Sequence, residues 1–74
     1  MQNGKDNKYL KEFGKNLRRL RTKSGISQEV LAIEAGIGKN QVGLIERGEV
    51  NVTLNTIKKL AKHINVNPKD LLDF

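Results

Sequence analysis

Two short helical segments joined by only three residues, 36–38, are the feature that most constrains this sequence of 74 residues. Counted along the whole chain, they are the second and third predicted helices. The second helix covers residues 28–35, with Ser27 as its N-cap residue and Gly36 as its end. The third helix runs from about residue 39 to 47 and stops at a glycine. So short a link containing glycine predicts a sharp corner between the two helices rather than an antiparallel hairpin, which is helix-turn-helix geometry.

Three further helices are predicted around this pair. The first helix covers residue 8 to about 23, because apolar residues recur there at spacings of three and four: Leu10, Phe13, Leu17 and Leu20. The fourth follows the N-cap residue Thr53, ends near Asn65 and is expected to bury its apolar residues: Leu54, Ile57, Leu60, Ala61 and Ile64. The fifth starts at Asn67, which is followed by proline at the first helical position. The expected fold is all-α with five helices.

Composition argues against several functions. The chain has no cysteine, so it has neither a disulfide framework nor a thiolate zinc site. No apolar run approaches the roughly 18 residues that span a bilayer, and the N-terminus lacks the apolar core of a signal peptide. His63 is the only histidine, with no second metal ligand or nucleophile in view. We therefore expect a cytoplasmic protein that is no enzyme, uses no metal or cofactor and binds no membrane.

The formal net charge of +6 is unevenly placed. Residues 1–24 carry net +6, residues 25–53 carry net −2 and residues 54–74 carry net +2. A basic balance is compatible with binding to nucleic acid, although many small domains carry such a charge for solubility. Because the predicted corner lies in the acidic segment, attraction to phosphate would have to come largely from the first helix or from the field of a dimer.

Residues 16–72 resemble the Cro/C1-type (Xre) helix-turn-helix domain of bacterial and phage repressors. They are similar above all to small stand-alone regulators such as restriction–modification controller proteins. The matching motifs are "SQ" opening the second helix, "LA…AG" towards its end, "IERGE" closing the third, and "TL…IKKLAKHINV" for the fourth. The resemblance implies a lambda-repressor-like domain over residues 13–74. Residues 1–12 would form a basic extension and the start of the first helix.

The resemblance also implies a homodimer that binds double-stranded DNA at a palindromic operator, with the third helix in the major groove. The DNA-binding positions would be Ser27, Gln28, Lys39, Asn40, Gln41, Gly43, Leu44, Arg47 and Asn51. Gln28 would also brace the third helix. Arg21 and Glu46 would form a structural ion pair between the first and third helices. The dimer interface would use apolar residues, with core packing as the alternative for each: Ile64, Val66, Leu71, Leu72 and Phe74.

Some residues depart from the family pattern, in which polar side chains are more common at the positions of Gly43 and Leu44. A leucine in the major groove can contact a thymine methyl group, and a glycine lets the backbone come close to DNA. The alternative is that Leu44 packs under a loop. Val30 and Ile33 lie on the expected polar face of the second helix. They would either pack against the N-terminal segment or contact another protein.

The function predicted from the sequence is a sequence-specific transcriptional regulator, a repressor or autoregulator. One alternative is an antitoxin that binds both its operator and a toxin as protein partner. A third hypothesis is a protein-interaction module that has lost DNA binding, for which the acidic middle segment and the apolar residues at Val30, Ile33 and Leu44 would be the grounds.

Overall fold

The computed structural model of this protein describes residues 4–74, and the side chains of residues 8–74. Residues 1–3, the start of the expected N-terminal extension, lie outside the described residues. The described chain forms five helices and no strand: α1 (Gly4–Lys23), α2 (Gln28–Ala35), α3 (Gln41–Glu46), α4 (Leu54–His63) and α5 (Pro68–Leu71). The predicted all-α fold is confirmed. None of the described helices is long and apolar enough to cross a bilayer.

Local capping signals set most of the helix ends. The Ser27 hydroxyl accepts a hydrogen bond from the Val30 N–H at 3.1 Å, and Gly36 ends α2 in the left-handed region at φ 70°. Thr53 caps α4 in the same way, accepting from the Thr56 N–H at 3.1 Å. The boundaries of α2 therefore coincide with the predicted ones, because short-range side-chain chemistry alone determines them.

Two helices differ in length from their predictions. α1 begins at Gly4, four residues before the expected start. α3 begins at Gln41 rather than near residue 39, because the Gln41 N–H bonds to the Gly38 carbonyl at 2.9 Å and closes a turn first. Lys39 and Asn40 thus lie in the turn that leads into α3 and not within the helix.

One core gathers apolar side chains from all five helices: Phe13, Leu17, Leu31, Ala32, Ala35, Val42, Ile45, Ile57, Leu60, Ala61, Ile64 and Leu71. Leu54 was predicted to belong to it and does not, since its side chain is 79% exposed. Side chains of a helix lean towards its N-terminus, so a residue at the first position of α4 points beyond the turns that its neighbours cover.

The structure also corrects part of the expected dimer interface. Ile64 and Leu71 are 2% and 0% exposed and belong to the core of the single chain, which leaves no surface for a partner. Val66 is half-buried and packs against that core. Leu72 and Phe74 remain exposed at 45% and 47%. Of the expected interface residues, only Leu72 and Phe74 therefore present large apolar surfaces.

Val30 and Ile33 on α2 are exposed at 44% and 75%. Packing against the N-terminal segment, one of the two interpretations offered for them, is wrong within the described part of the chain. The face of α2 turned away from the core therefore carries two apolar side chains in contact with solvent.

α1 is held against both α3 and α5 by two residues that the sequence did not single out. Gly14 is buried where α1 crosses the end of α3, and a Cβ atom there would lie 2.4 Å from the carbonyl oxygens of Ile45 and Glu46. Asn16 is 5% exposed, and its Nδ2 donates to the carbonyls of Asp70 and Leu71 at 2.9 and 3.0 Å. One turn of α1 thus fixes the positions of both partner helices.

Candidate nucleic-acid interface

A cleft between α2 and α3 brings together six of the nine residues expected to contact DNA: Gln28, Lys39, Asn40, Gly43, Leu44 and Arg47. Glu29 completes its lining. We call this the α2–α3 cleft. Of the other three expected residues, Ser27 is the N-cap of α2, Gln41 is half-buried at the start of α3, and Asn51 lies in the loop beside a separate cleft with Tyr9 and Phe13.

Gln28 connects the two helices that form the cleft. Its Nε2 donates to Glu46 Oε1 at 2.8 Å, so the first residue of α2 is bonded to the last residue of α3. A Cβ atom on Gly43 would lie 3.3 Å from Gln28 Oε1. The carboxamide therefore lies across the face of α3, and its oxygen is directed at the glycine.

Glu46 is held from its other side by Arg21. The Arg21 Nε lies 2.6 Å from Glu46 Oε2, and its Nη2 lies 3.1 Å from Oε1. Arg21 Nη1 also donates to the Ile26 carbonyl at 2.9 Å. The two side chains are 9% and 3% exposed, so the ion pair expected between α1 and α3 is present and nearly dry. The two charges of the pair cancel, so Glu46 does little to repel an anion from the surface of α3.

Gly43 and Leu44 both lie in the α2–α3 cleft. Gly43 is buried beneath its neighbours, and a Cβ atom there would lie 3.2 Å from Arg47 Nη1. Leu44 is half-exposed in the α2–α3 cleft. The glycine thus leaves room for the side chains of Gln28 and Arg47 to lie on α3, while the leucine offers the cleft an apolar surface.

The polar groups of the cleft suit a negatively charged, hydrogen-bonding ligand. Asn40 is the N-cap residue of α3, yet its exposed side chain makes no capping hydrogen bond, which leaves the amide available. Lys39 and Arg47 are exposed cations at the two ends of α3. The first turn of α2 opens into the same cleft at Gln28 and Glu29, where free backbone N–H groups and the helix dipole favour phosphate.

Three features of this region were not predicted from the sequence: Gly14, Asn16 and the ion pair that Glu49 makes with Arg47 at 2.6 Å. Gly14 carried a usable signal, since a glycine inside a helical pattern costs about 1 kcal/mol relative to alanine and indicates a packing reason. Asn16 carried none, because only the tertiary fold brings its partners on α5 to it. The pair of Arg47 and Glu49 is local, and it depends on the left-handed turn at Gly48 between them.

This five-helix fold, with its corner between α2 and α3, defines a helix-turn-helix protein, and the chain belongs to that family: the Helix-turn-helix family model matches residues 17–71. The match is to the Xre type expected from the sequence. The chain is 48% identical over 63 residues to control protein C.BamHI of Bacillus amyloliquefaciens, covering 84% of this chain and 78% of that protein. It is 41% identical over 64 residues to control protein C.SmaI of Serratia marcescens, covering 85% and 76%.

A solved structure agrees with these relationships. The crystal structure of the restriction–modification controller protein C.AhdI from Aeromonas hydrophila superposes with a TM-score of 0.81 at 47% identity, covering 84% of this chain and 94% of that one. As a helix-turn-helix regulator, the protein is a sequence-specific DNA-binding regulator of transcription.

Proposed function

We propose that this protein controls the transcription of restriction–modification genes, as a repressor or autoregulator, by binding operator DNA as a homodimer. The observation that carries the proposal is the α2–α3 cleft, which gathers cationic, amide and apolar side chains around the exposed face of α3. The control proteins to which the chain is similar support the choice of genes.

In the proposed complex α3 lies in the major groove and α2 lies across the DNA backbone. Phosphates would bind the N-terminus of α2, Gln28 and Arg47, which fix the register of the protein without reading sequence. Gln28 is already bonded to Glu46 and would present its remaining groups from a fixed position. The Asn51 side chain would meet the backbone from the loop before α4.

Base recognition would come from the turn and helix between residues 39 and 44. Lysine bonds the O6 and N7 atoms of guanine, and asparagine or glutamine bonds adenine in a bidentate manner. Lys39, Asn40 and Gln41 supply these groups, and Leu44 would contact a thymine methyl group. The buried Gly43 would contribute no base contact of its own, and its role would be to let Gln28 and Arg47 lie on α3.

Selection of bound duplexes from a random DNA pool tests the function directly. We expect enrichment of a palindrome with half-sites about 34 Å apart, one helical turn of DNA. Weak binding that disappears with modest salt and enriches no sequence would leave phosphate attraction alone. That result would contradict the proposal and favour the protein-interaction alternative, for which the exposed Val30 and Ile33 would be the surface.

Changing Leu44 to alanine is expected to weaken binding to the selected duplex by about tenfold and to relax selection of thymine at one position of each half-site, since losing the match at one base pair typically costs about 1–3 kcal/mol. Fluorescence anisotropy with the selected duplex and with its thymine-to-uracil analogue, which lacks the methyl group, measures the effect. The wild-type protein should lose affinity for the uracil duplex and the Leu44→Ala variant should not. Equal losses for both proteins would show that Leu44 does not contact that methyl group.

For the dimer we propose an interface centred on Leu72 and Phe74. The Phe74 ring lies 5.3 Å from the ring of Tyr9, which is itself 64% exposed, and 6.3 Å from that of Phe13. The C-terminus and α1 thus form an exposed apolar cluster, which is the kind of surface that mediates association.

Leu72→Glu is expected to shift the protein to a monomer in analytical ultracentrifugation at micromolar concentration, because a charge would be buried in the apolar contact. The intrinsic stability of the single folded chain should hardly change, since Leu72 lies outside the core. Ile33→Glu places the same charge on an exposed apolar site of α2 and serves as the control. A dimer that survives Leu72→Glu but is lost with Ile33→Glu would relocate the interface to α2.

A further inference from the structure

Glu49 forms an ion pair with Arg47, one of the two cations of the α2–α3 cleft. Its Oε2 accepts a hydrogen bond from Arg47 Nε at 2.6 Å, and the two side chains are 52% and 58% exposed. Glu46, by contrast, is 3% exposed in its pair with Arg21. Of these two ion-paired glutamates, Glu49 alone is open to solvent and free to exchange its partner.

The backbone places the Glu49 carboxylate beside Arg47. Gly48 adopts φ 72°, its N–H bonds to the Ile45 carbonyl at 3.0 Å, and the Glu49 N–H bonds to the Leu44 carbonyl at 3.0 Å. Gly48 also packs on the α1 backbone, where a Cβ atom would lie 2.7 Å from Lys11 N. These contacts hold the backbone at the end of α3, and that backbone sets the Glu49 side chain beside the side chain of Arg47.

A carboxylate and a phosphate both bind a guanidinium group through N–H···O bonds along one of its edges. The Nε–H that a phosphate oxygen would accept from is already donated to Glu49 in the free protein. A phosphate that binds the Nε edge of Arg47 must therefore displace the carboxylate. A phosphate that binds the Nη1/Nη2 edge instead is repelled by the carboxylate beside it, so Glu49 opposes either mode.

We propose that Glu49 is an intramolecular competitor for the DNA phosphate that binds Arg47, and that it lowers the affinity of the protein for DNA. The inference rests on the proposed function, in which Arg47 contacts the DNA backbone. Because phosphate contacts carry no sequence information, Glu49 weakens binding to specific and nonspecific DNA by the same factor. It sets the protein concentration at which DNA becomes occupied, and not the choice of sequence.

Glu49→Gln tests the proposal, because glutamine keeps the size of the side chain and removes its charge. Anisotropy titrations would use the duplex enriched by the wild-type protein and a scrambled duplex of the same length. We expect about fivefold tighter binding to both duplexes near 50 mM salt, and a smaller gain at higher salt, where an exposed pair and its repulsion of phosphate are screened. A change of less than twofold at low salt would overturn the proposal.

Glu34→Gln is the matched control. Glu34 is also a half-exposed carboxylate, 3.8 Å from His63, and its substitution changes the net charge by the same amount. It should alter DNA affinity by less than about twofold, since it lies near the end of α2 that is remote from the α2–α3 cleft. An equal gain with Glu34→Gln would assign the effect to net charge and overturn the role of Glu49.

A double-mutant cycle with Arg47→Met shows whether Glu49 acts through Arg47. Arg47→Met alone should weaken binding, and Glu49→Gln should then add less than about twofold. An undiminished gain in the Arg47→Met background, or no loss from Arg47→Met itself, would overturn the proposal. The proposed function fails separately, when the wild-type protein enriches no sequence. The inference fails when the wild-type protein binds its selected duplex, Arg47→Met weakens that binding, and Glu49→Gln leaves it unchanged.

Discussion

Gly14→Ala is expected to lower the free energy of unfolding by about 3 kcal/mol, the upper end of the range for overpacking a tight contact. The added Cβ atom would lie 2.4 Å from the carbonyl oxygens of Ile45 and Glu46. Both neighbours are backbone atoms, so no side-chain rotation relieves the clash and α1 must move away from α3. The gain in helix propensity from alanine, about 1 kcal/mol, offsets only part of this cost.

Urea unfolding followed by circular dichroism measures this change. Gly38→Ala is the control, because the nearest atom to its Cβ would be Gln41 Cγ at 3.3 Å, the movable part of a side chain. That variant should stay within about 0.5 kcal/mol of the wild-type protein. A Gly14→Ala variant as stable as the wild type would mean that α1 and α3 are less closely packed than the structure places them.

Arg21→Met is expected to cost about 3–5 kcal/mol, because it leaves Glu46 as an uncompensated charge in a nearly dry site. Gln28 is the remaining donor to Glu46, and a neutral amide does not balance a buried carboxylate. The variant also loses the hydrogen bond from Arg21 to the Ile26 carbonyl, which ties α1 to the start of α2.

The double variant Arg21→Met/Glu46→Leu separates charge burial from packing. Since a well-packed apolar replacement of a buried ion pair is often neutral, the double variant should be more stable than Arg21→Met alone. Glu12→Gln, which breaks an exposed pair, should change stability by less than about 0.5 kcal/mol. If Arg21→Met cost no more than Glu12→Gln, the pair between Arg21 and Glu46 would contribute no more than a surface contact.

The release of Gln28 gives Arg21→Met/Glu46→Leu a second consequence. Without Glu46 the Gln28 side chain has no acceptor on α3 to hold it over the cleft. A variant that folds normally but binds DNA less tightly would therefore separate the bracing of Gln28 from the stability of the domain.

The parts of the fold that the sequence predicted best are those determined by neighbours along the chain. The limits of α2 follow from Ser27 and Gly36, one on each side of an eight-residue helix. The start of α5 follows from Pro68 and from Asp70, whose carboxylate accepts a hydrogen bond from the Asn67 N–H at 2.9 Å. Each of these interactions spans no more than a few residues.

The errors share a different origin, since they concern which side of a helix is covered. Periodicity placed Leu54 in the core although its side chain is 79% exposed at the first position of α4. The resemblance offered Ile64 and Leu71 to a dimer partner, with core packing as the alternative, and the chain buries both itself. A repeat of three and four residues defines an apolar face but not the extent of the element packed against it.

The candidate site was predictable in its membership more than in its internal contacts. The resemblance to a known family indicated Gln28, Lys39, Asn40 and Arg47, and the fold brings them to one cleft. The positions of Gly14 and Glu49 depend on where α1 meets α3 and on the left-handed turn at Gly48. The contact of Gly14 joins parts of the chain that no local pattern connects, whereas Glu49 meets Arg47 across the single residue Gly48.

Gly14 and Asn16 lie two positions apart on α1, one against the end of α3 and the other bonded to the last carbonyls of α5. α3, the helix proposed to enter the major groove, and the C-terminal surface are therefore both attached to one short stretch of α1. A dimer joined through Leu72 and Phe74 would hold its two copies of α3 at a fixed separation. Such a dimer would discriminate between operators by the spacing of their half-sites as well as by their base sequence.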